Sequence, residues 1–193
     1  MKGIMFKQDM VKAIMEGRKT VTRRIMKPPP PIGYHSPFSI GKVWVFSKPS
    51  QADKPFIIKP RYRVGEVVYV KEAWAINERG QILLKSEHDS LIKLLELPDI
   101  GIKWNSPLFL KAEYARTFLE IKGVRPERLQ EITSGDAENE GAYQIPPYPF
   151  VGIRDGTAMI GAFSRYWDSI NPQHPWADNG WVWREEFKLV PRT

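Results

Sequence analysis

The sequence predicts an α+β fold, and three observations carry that prediction. Apolar residues recur at helical spacing at two places, Met10, Val11, Ile14 and Met15 near the start and Met159, Ile160, Phe163, Trp167 and Ile170 further on. Runs rich in β-branched and aromatic residues, among them Val67 to Val70, read as strands. From Trp181 to Lys188 the chain alternates by parity, with Trp181, Trp183, Glu185 and Phe187 on one side, so that Glu185 interrupts an otherwise apolar face. With 193 residues and 42% hydrophobic content the chain is long enough to bury a substantial core, and a single domain spanning 1–193 is the economical reading.

The elements follow in order. A helix is expected from about Asp9 to Glu16, capped by Asp9 and ended by Gly17. Thr20, Val21, Thr22 and Ile25 then supply a strand, which places the segment GRKTVTRR (Gly17 to Arg24) where a helix hands over to a sheet. Pro28 to Pro31 cannot continue that strand as an interior ladder, and residues 28–60 read as an insertion carrying a hairpin of Val43 to Phe46 and Phe56 to Ile58. Val67 to Val70 and Ile82 to Lys85 are further strand candidates, and Ser90 to Leu97 is a helix candidate stopped by Pro98. Thr117 to Val124 forms a strand ending before Arg125-Pro126. Ser134 caps a short helix that Gly141 ends, and a longer helix spans Gly156 to Ile170 before the final strand.

Composition narrows the function classes. The absence of cysteine removes disulfides, thiolate zinc sites and cysteine nucleophiles. His35, His88 and His174 form no close pair, so no metal site is expected and no cofactor is called for. Lys7, Asp9, Lys12 and Glu16 break up the apolar character of the N-terminal stretch, which predicts neither a signal peptide nor a membrane span and makes the cytoplasm the default location. A formal net charge of +7 favours polyanionic partners.

Five motifs occur in a fixed order: the opening helix with GRKTVTRR, YRVGEVVYVKEAWA at Tyr62 to Ala75, FLEIKGVRPERLQEIT at Phe118 to Thr133, DAENEG at Asp136 to Gly141, and FSRYWDSINP with WVWREEFKLV near the C-terminus. In this order the chain resembles the ASCH family, built on a PUA-like mixed β-barrel, and most of all its longer phage and prophage members. The resemblance implies that barrel with flanking helices, and it implies recognition of RNA or of a modified nucleoside. One branch of the family hydrolyses the amide of N4-acetylcytidine; by motif its catalytic lysine, threonine and glutamate fall on Lys19, Thr22 and Glu140. A threonine hydroxyl needs a base to become a nucleophile, a buried lysine can serve, and a carboxyl group can protonate the leaving amine.

The residues themselves leave alternatives open. Lys19 and Thr22 are three apart and point to opposite faces of a regular strand, so their cooperation requires a bend. A plainer reading makes Lys19 a solvated charge, Thr22 a strand residue and Glu140 an exposed helix residue, with Asp136 and Glu138 capping or solvated. Arg18, Arg23 and Arg24, with Lys19 and Lys27, form the densest basic cluster, suited to phosphate contacts or to a charged strand edge. Glu72 is a secondary site candidate after a β run, and Trp74, Trp104 and Tyr114 are aromatics for stacking on a base or for packing. Trp167, Trp181 and Trp183 are assigned to the core. The alternatives to an amidohydrolase are a non-catalytic RNA-binding module and a ribonuclease using the same basic cleft. The insertion at 28–60 lengthens the chain beyond the compact amidohydrolase branch and is placed to cover a pocket, select larger substrates or dock a partner.

Overall fold

The computed structural model describes residues 1–48, 54–95, 101–141 and 156–192. In chain order the strands are β1 (Gly3–Met5), β2 (Val21–Ile25), β3 (His35–Ile40), β4 (Val43–Ser47), β5 (Phe56–Ile58), β6 (Val67–Lys71), β7 (Trp74–Ile76), β8 (Ile82–Leu84), β9 (Phe118–Arg128) and β10 (Trp181–Val190). The helices are α1 (Gln8–Met15), α2 (Lys85–Leu95), α3 (Ser134–Asn139) and α4 (Gly156–Ile170). Helices and strands are mixed along the chain, as the α+β prediction requires. The chain folds as two compact units, one of Met1–Lys19, Val67–Glu120 and Lys188–Thr193, the other of Thr20–Glu66 and Ile121–Phe187.

In the first unit β1 pairs parallel with β6, and β6 pairs antiparallel with the start of β9. α1 buries Met10, Val11, Ala13 and Ile14. It begins at Gln8, one residue before the expected start, with Lys7 rather than Asp9 at the cap position. Asp9 lies in the first turn, where a negative charge complements the helix dipole, and its carboxylate accepts from the Met10 N–H at 3.0 Å. Gly17 ends the helix as expected, at φ 72°, a conformation that glycine adopts without strain. Tyr69, Leu84, Leu110, Ala115 and Phe118 form the core cluster of this unit, with Trp74 packed against it. α2 starts at Lys85, earlier than the sequence suggests, because tertiary acceptors meet its first amides: the Lys85 N–H bonds the Ala73 carbonyl at 2.9 Å and the Ser86 N–H bonds Glu72 at 3.1 Å. Residues 96–98, where the helix was expected to stop, lie outside the described residues.

In the second unit β10 lies between β9 and β2, and β2 pairs antiparallel with β10 through five residue pairs from Val182↔Ile25 to Glu186↔Val21. Neither set of strands closes on itself among the described residues, so the sheets are open. The insertion carries not a hairpin but a three-stranded sheet, β3-β4-β5. β3 went unread because HSPFSI has no apolar alternation and contains a proline. Phe46 of β4 packs with Met26, Trp181 and Trp183, so the insertion covers one side of β10. β9 runs on through Pro126 instead of ending before it. Its pairing with β6 is confined to Phe118, Leu119 and Glu120, so on that side Pro126 has no ladder bond to forfeit. α3 is capped by Thr133, whose hydroxyl accepts from the Asp136 N–H at 3.1 Å, rather than by Ser134. α4 occupies the span the periodicity predicts and buries Phe163 and Trp167.

Candidate functional site around strand β2

β2 carries the sequence-predicted residues, and its alternation sorts them. Successive side chains on a strand point to opposite faces. Arg23 therefore shares a face with its register partner Arg184, while Thr22 and Arg24 share the other with Glu185 and Trp183.

On the first face, the Arg23 side chain is fully removed from solvent. Its Nε donates to Glu127 at 2.7 Å, Nη2 to Asp136 at 2.7 Å and Nη1 to Glu140 at 3.2 Å. Arg184 completes the cluster with a bidentate pair to Asp136 at 2.9 and 2.8 Å and a bond to Glu186 at 3.2 Å. Burial alone would raise the Asp136 carboxyl, but the hydrogen bonds and charges of Arg184 and Arg23 outweigh it and hold the group at about 2. Arg23 is thus an internal cation, enclosed by carboxylates from β9, α3 and the residue that ends α3. The expectation that it contacts phosphate meets a guanidinium that donates from all three nitrogens to internal carboxylates. The view of Asp136 as a solvated or capping residue is corrected. Among the described residues no group of histidines and carboxylates is arranged to hold a metal ion.

On the second face, Thr22 is 7% exposed and stands opposite Glu185, which is 2% exposed. Burial pushes the Glu185 carboxyl up to about 7, against the opposing pull of Arg24 and Arg61, with Glu140 adding to the rise. Arg24 Nε lies 3.5 Å from Glu185 Oε2, an ion-pair distance rather than a hydrogen bond. The neighbouring Tyr62 hydroxyl is also pushed up by burial, with Arg61 and Arg24 lowering it and Glu185 raising it. Glu185 was visible in the sequence only as the polar break in an apolar parity. Nothing there marked it as chemistry.

The remaining predicted residues separate. Arg18 is partly exposed and paired with Glu16. Lys19, the last residue of the first unit, is buried at 3% exposure, with its Nζ 5.9 Å from the centre of the Phe6 ring. Glu72 is buried in the first unit, where desolvation raises its carboxyl and the hydrogen bonds from Ser86 oppose the rise. Bonded to the first turn of α2, it works as a tertiary cap there. Trp74 donates its indole N–H to the Ser106 carbonyl at 3.2 Å. Trp167, Trp181 and Trp183 are buried, as expected. A cavity of about 460 Å³ in the second unit is lined by Met26, Pro28, Trp167, His174 and Trp181 among others, and one of about 580 Å³ in the first unit lies along Ala75 to Arg79. Neither is lined by the predicted site residues.

No protein-family model matches the chain, and no curated protein matches it in sequence. Among solved structures it is similar to a protein from Enterococcus faecalis V583 assigned to the family DUF984, at 10% identity and a TM-score of 0.42, covering 98% of this chain and 80% of that one. A second is from Lactobacillus crispatus JV V101, at 11% identity and a TM-score of 0.43, covering 99% and 81%. That structure is an ASCH domain. Among the described residues no helix is long and apolar enough to cross a membrane.

Proposed function

We propose that the face of β2 carrying Thr22 is a hydrolytic site for an acylated amine on a modified nucleoside, free or within RNA, of which N4-acetylcytidine is the reference case. One observation carries the reading. Glu140, 117 residues from Arg23 in sequence, is bonded to Arg23, the residue next to Thr22. The threonine and the carboxylate that the motif resemblance pairs are both buried in one unit, and Glu140 also raises the carboxyl of Glu185, the cross-strand partner of Thr22. Solvated strand and helix residues would not be so placed, since a glutamate is rarely buried without a partner.

Thr22 supplies the hydroxyl that attacks the acyl carbon, and Glu140, fixed by Arg23, supplies a carboxylate that orients water or the leaving amine. For Lys19, which the resemblance also implies, Lys19→Ala gives a separate test. The experiment is acetate release from N4-acetylcytidine by purified protein, with labelled single-stranded RNA in a parallel sample. Acetate that disappears in Thr22→Ala supports the hydrolase. Retarded but intact RNA without acetate points to a binding module, and RNA fragments to a ribonuclease.

A further inference from the structure

We infer that Glu185 is the general base that activates the Thr22 hydroxyl, a catalytic role outside the lysine, threonine and glutamate set that the motifs suggest. The inference rests on the proposed reaction at Thr22 and assigns the group that takes its proton.

The geometry begins with register. Thr22 and Glu185 are direct cross-strand partners, and residues so opposed have Cβ atoms about 5 Å apart with side chains on the same face. A glutamate side chain spans that gap. Glu185 is nearly inaccessible, yet its Oε2 has no hydrogen-bond partner among the described residues. The surroundings are defined on each side: Thr22 and Arg24 from β2, Arg61 and Tyr62 from the segment after β5, and Glu140 at the end of α3.

A structural role explains this arrangement poorly. The parity that holds Trp181, Trp183 and Phe187 would accept leucine at position 185, and a well-packed apolar residue is commonly as stabilising as a buried ion pair or more so. The Arg23 cluster in the same unit shows what a structural buried charge looks like, with every carboxylate bonded to a guanidinium. Glu185 Oε2 instead takes part in no hydrogen bond, with Arg24 Nε at 3.5 Å, and its residue stands across the ladder from a hydroxyl-bearing one. Its carboxyl is poised near neutrality, where a group can both take and return a proton.

The step balances. Glu185 takes the proton from Thr22 Oγ1 as that oxygen bonds to the acyl carbon. The carbon–nitrogen bond then breaks, the amine leaves with the proton returned by Glu185, and the acyl group stays as an ester on Thr22. Glu185 next takes a proton from water, whose oxygen bonds to the ester carbon. Thr22 Oγ1 leaves with that proton, releasing the carboxylic acid.

The test uses p-nitrophenyl acetate as a probe of Thr22 independent of any nucleoside, with peptide mass spectrometry to locate the acetyl group. Wild type is expected to form acetyl-Thr22 at a rate that rises through pH 7 to a plateau. Glu185→Gln should slow acetylation about 100-fold or more and abolish the rise, while Glu185→Asp keeps a rise at reduced rate. Thermal unfolding of both variants reports that they are folded. Wild type that never acetylates Thr22, or a folded Glu185→Gln variant that matches wild type, overturns the assignment. Glu185-dependent acetylation with no acetate released from N4-acetylcytidine would uphold the base and refute the proposed substrate. Acetate release undiminished in Glu185→Gln would do the reverse.

Discussion

The two faces of β2 treat buried charge in opposite ways. On the Arg23 face a guanidinium meets Glu127, Asp136 and Glu140, and Arg184 closes the cluster through two bonds to Asp136. On the Thr22 face a carboxyl is buried to a similar degree, yet Arg24 approaches it only at ion-pair distance. The first arrangement fixes the strand to β9 and α3 and fixes Glu140 beside it. The second leaves a titratable group in a low-dielectric setting next to a hydroxyl, which is where perturbed proton affinities become useful. On the proposed reading, one strand separates support from chemistry by residue parity.

Removing Arg23 should have the largest effect on that contrast. Arg23→Met takes the buried guanidinium from Glu127, Asp136 and Glu140, of which Asp136 keeps Arg184 and Glu127 keeps Arg125, and is expected to lower stability by about 3–5 kcal/mol in denaturant unfolding. Thr22→Ala, one residue away, is expected to change stability by about 1 kcal/mol or less while abolishing acetate release. Equal losses of stability in the two variants would break the division between the faces.

That division was only half legible in the sequence. Local signals placed α4 and gave the parity of β10, because helical period and alternation are properties of neighbouring residues. They also set GRKTVTRR at a helix-to-strand junction. They could not show where Arg23 points, because its partners lie 104, 113 and 117 residues away. An arginine in a basic run therefore looked like a surface charge. Glu185 was in plain view as an exception to its face, but one polar residue in an apolar stripe carries no sign of its partner until β2 is laid beside β10.

The next effect in size is a gain. The Glu185 carboxyl is raised from 4.5 to about 7 in the folded protein. An acid raised by folding binds its proton more tightly in the native state, so its favourable contribution is full below the unfolded value and is lost as pH rises from 4.5 through 7. Glu185→Gln removes that penalty. It should leave stability nearly unchanged at pH 5 and raise it by up to about 3 kcal/mol at pH 8. A variant less stable than wild type at pH 8 would show that Glu185 belongs with the structural charges.

Asp136 gives the opposite sign on the opposite face. Its carboxyl is lowered from 3.8 to about 2, so it stabilises the fold above its ordinary value and loses that contribution as pH falls through 2. Asp136→Asn is expected to be destabilising at pH 7, with the pH-dependent part about 2 kcal/mol. Its unfolding free energy should also fall less steeply than that of wild type between pH 4 and pH 2. Identical acid limbs would place the acid sensitivity in other carboxylates.

The smallest expected effect concerns the basic cluster as a nucleic-acid contact. Arg18 and Arg24 keep part of their side chains in solvent, at 26% and 33%, whereas that of Arg23 has none. If single-stranded RNA binds, each phosphate contact contributes about 0.7 to the slope of log affinity against log salt. Neutralising Arg18 or Arg24 should therefore reduce the slope by at most that amount, with little change in stability for Arg18, whose pair with Glu16 is a surface one. Arg23 is expected to affect binding only through unfolding, so at a temperature and denaturant concentration where Arg23→Met remains folded its salt slope should equal that of wild type. A reduced slope in that folded variant would mean that the carboxylates release Arg23 to the phosphate, and the two faces of β2 would then be coupled rather than separate.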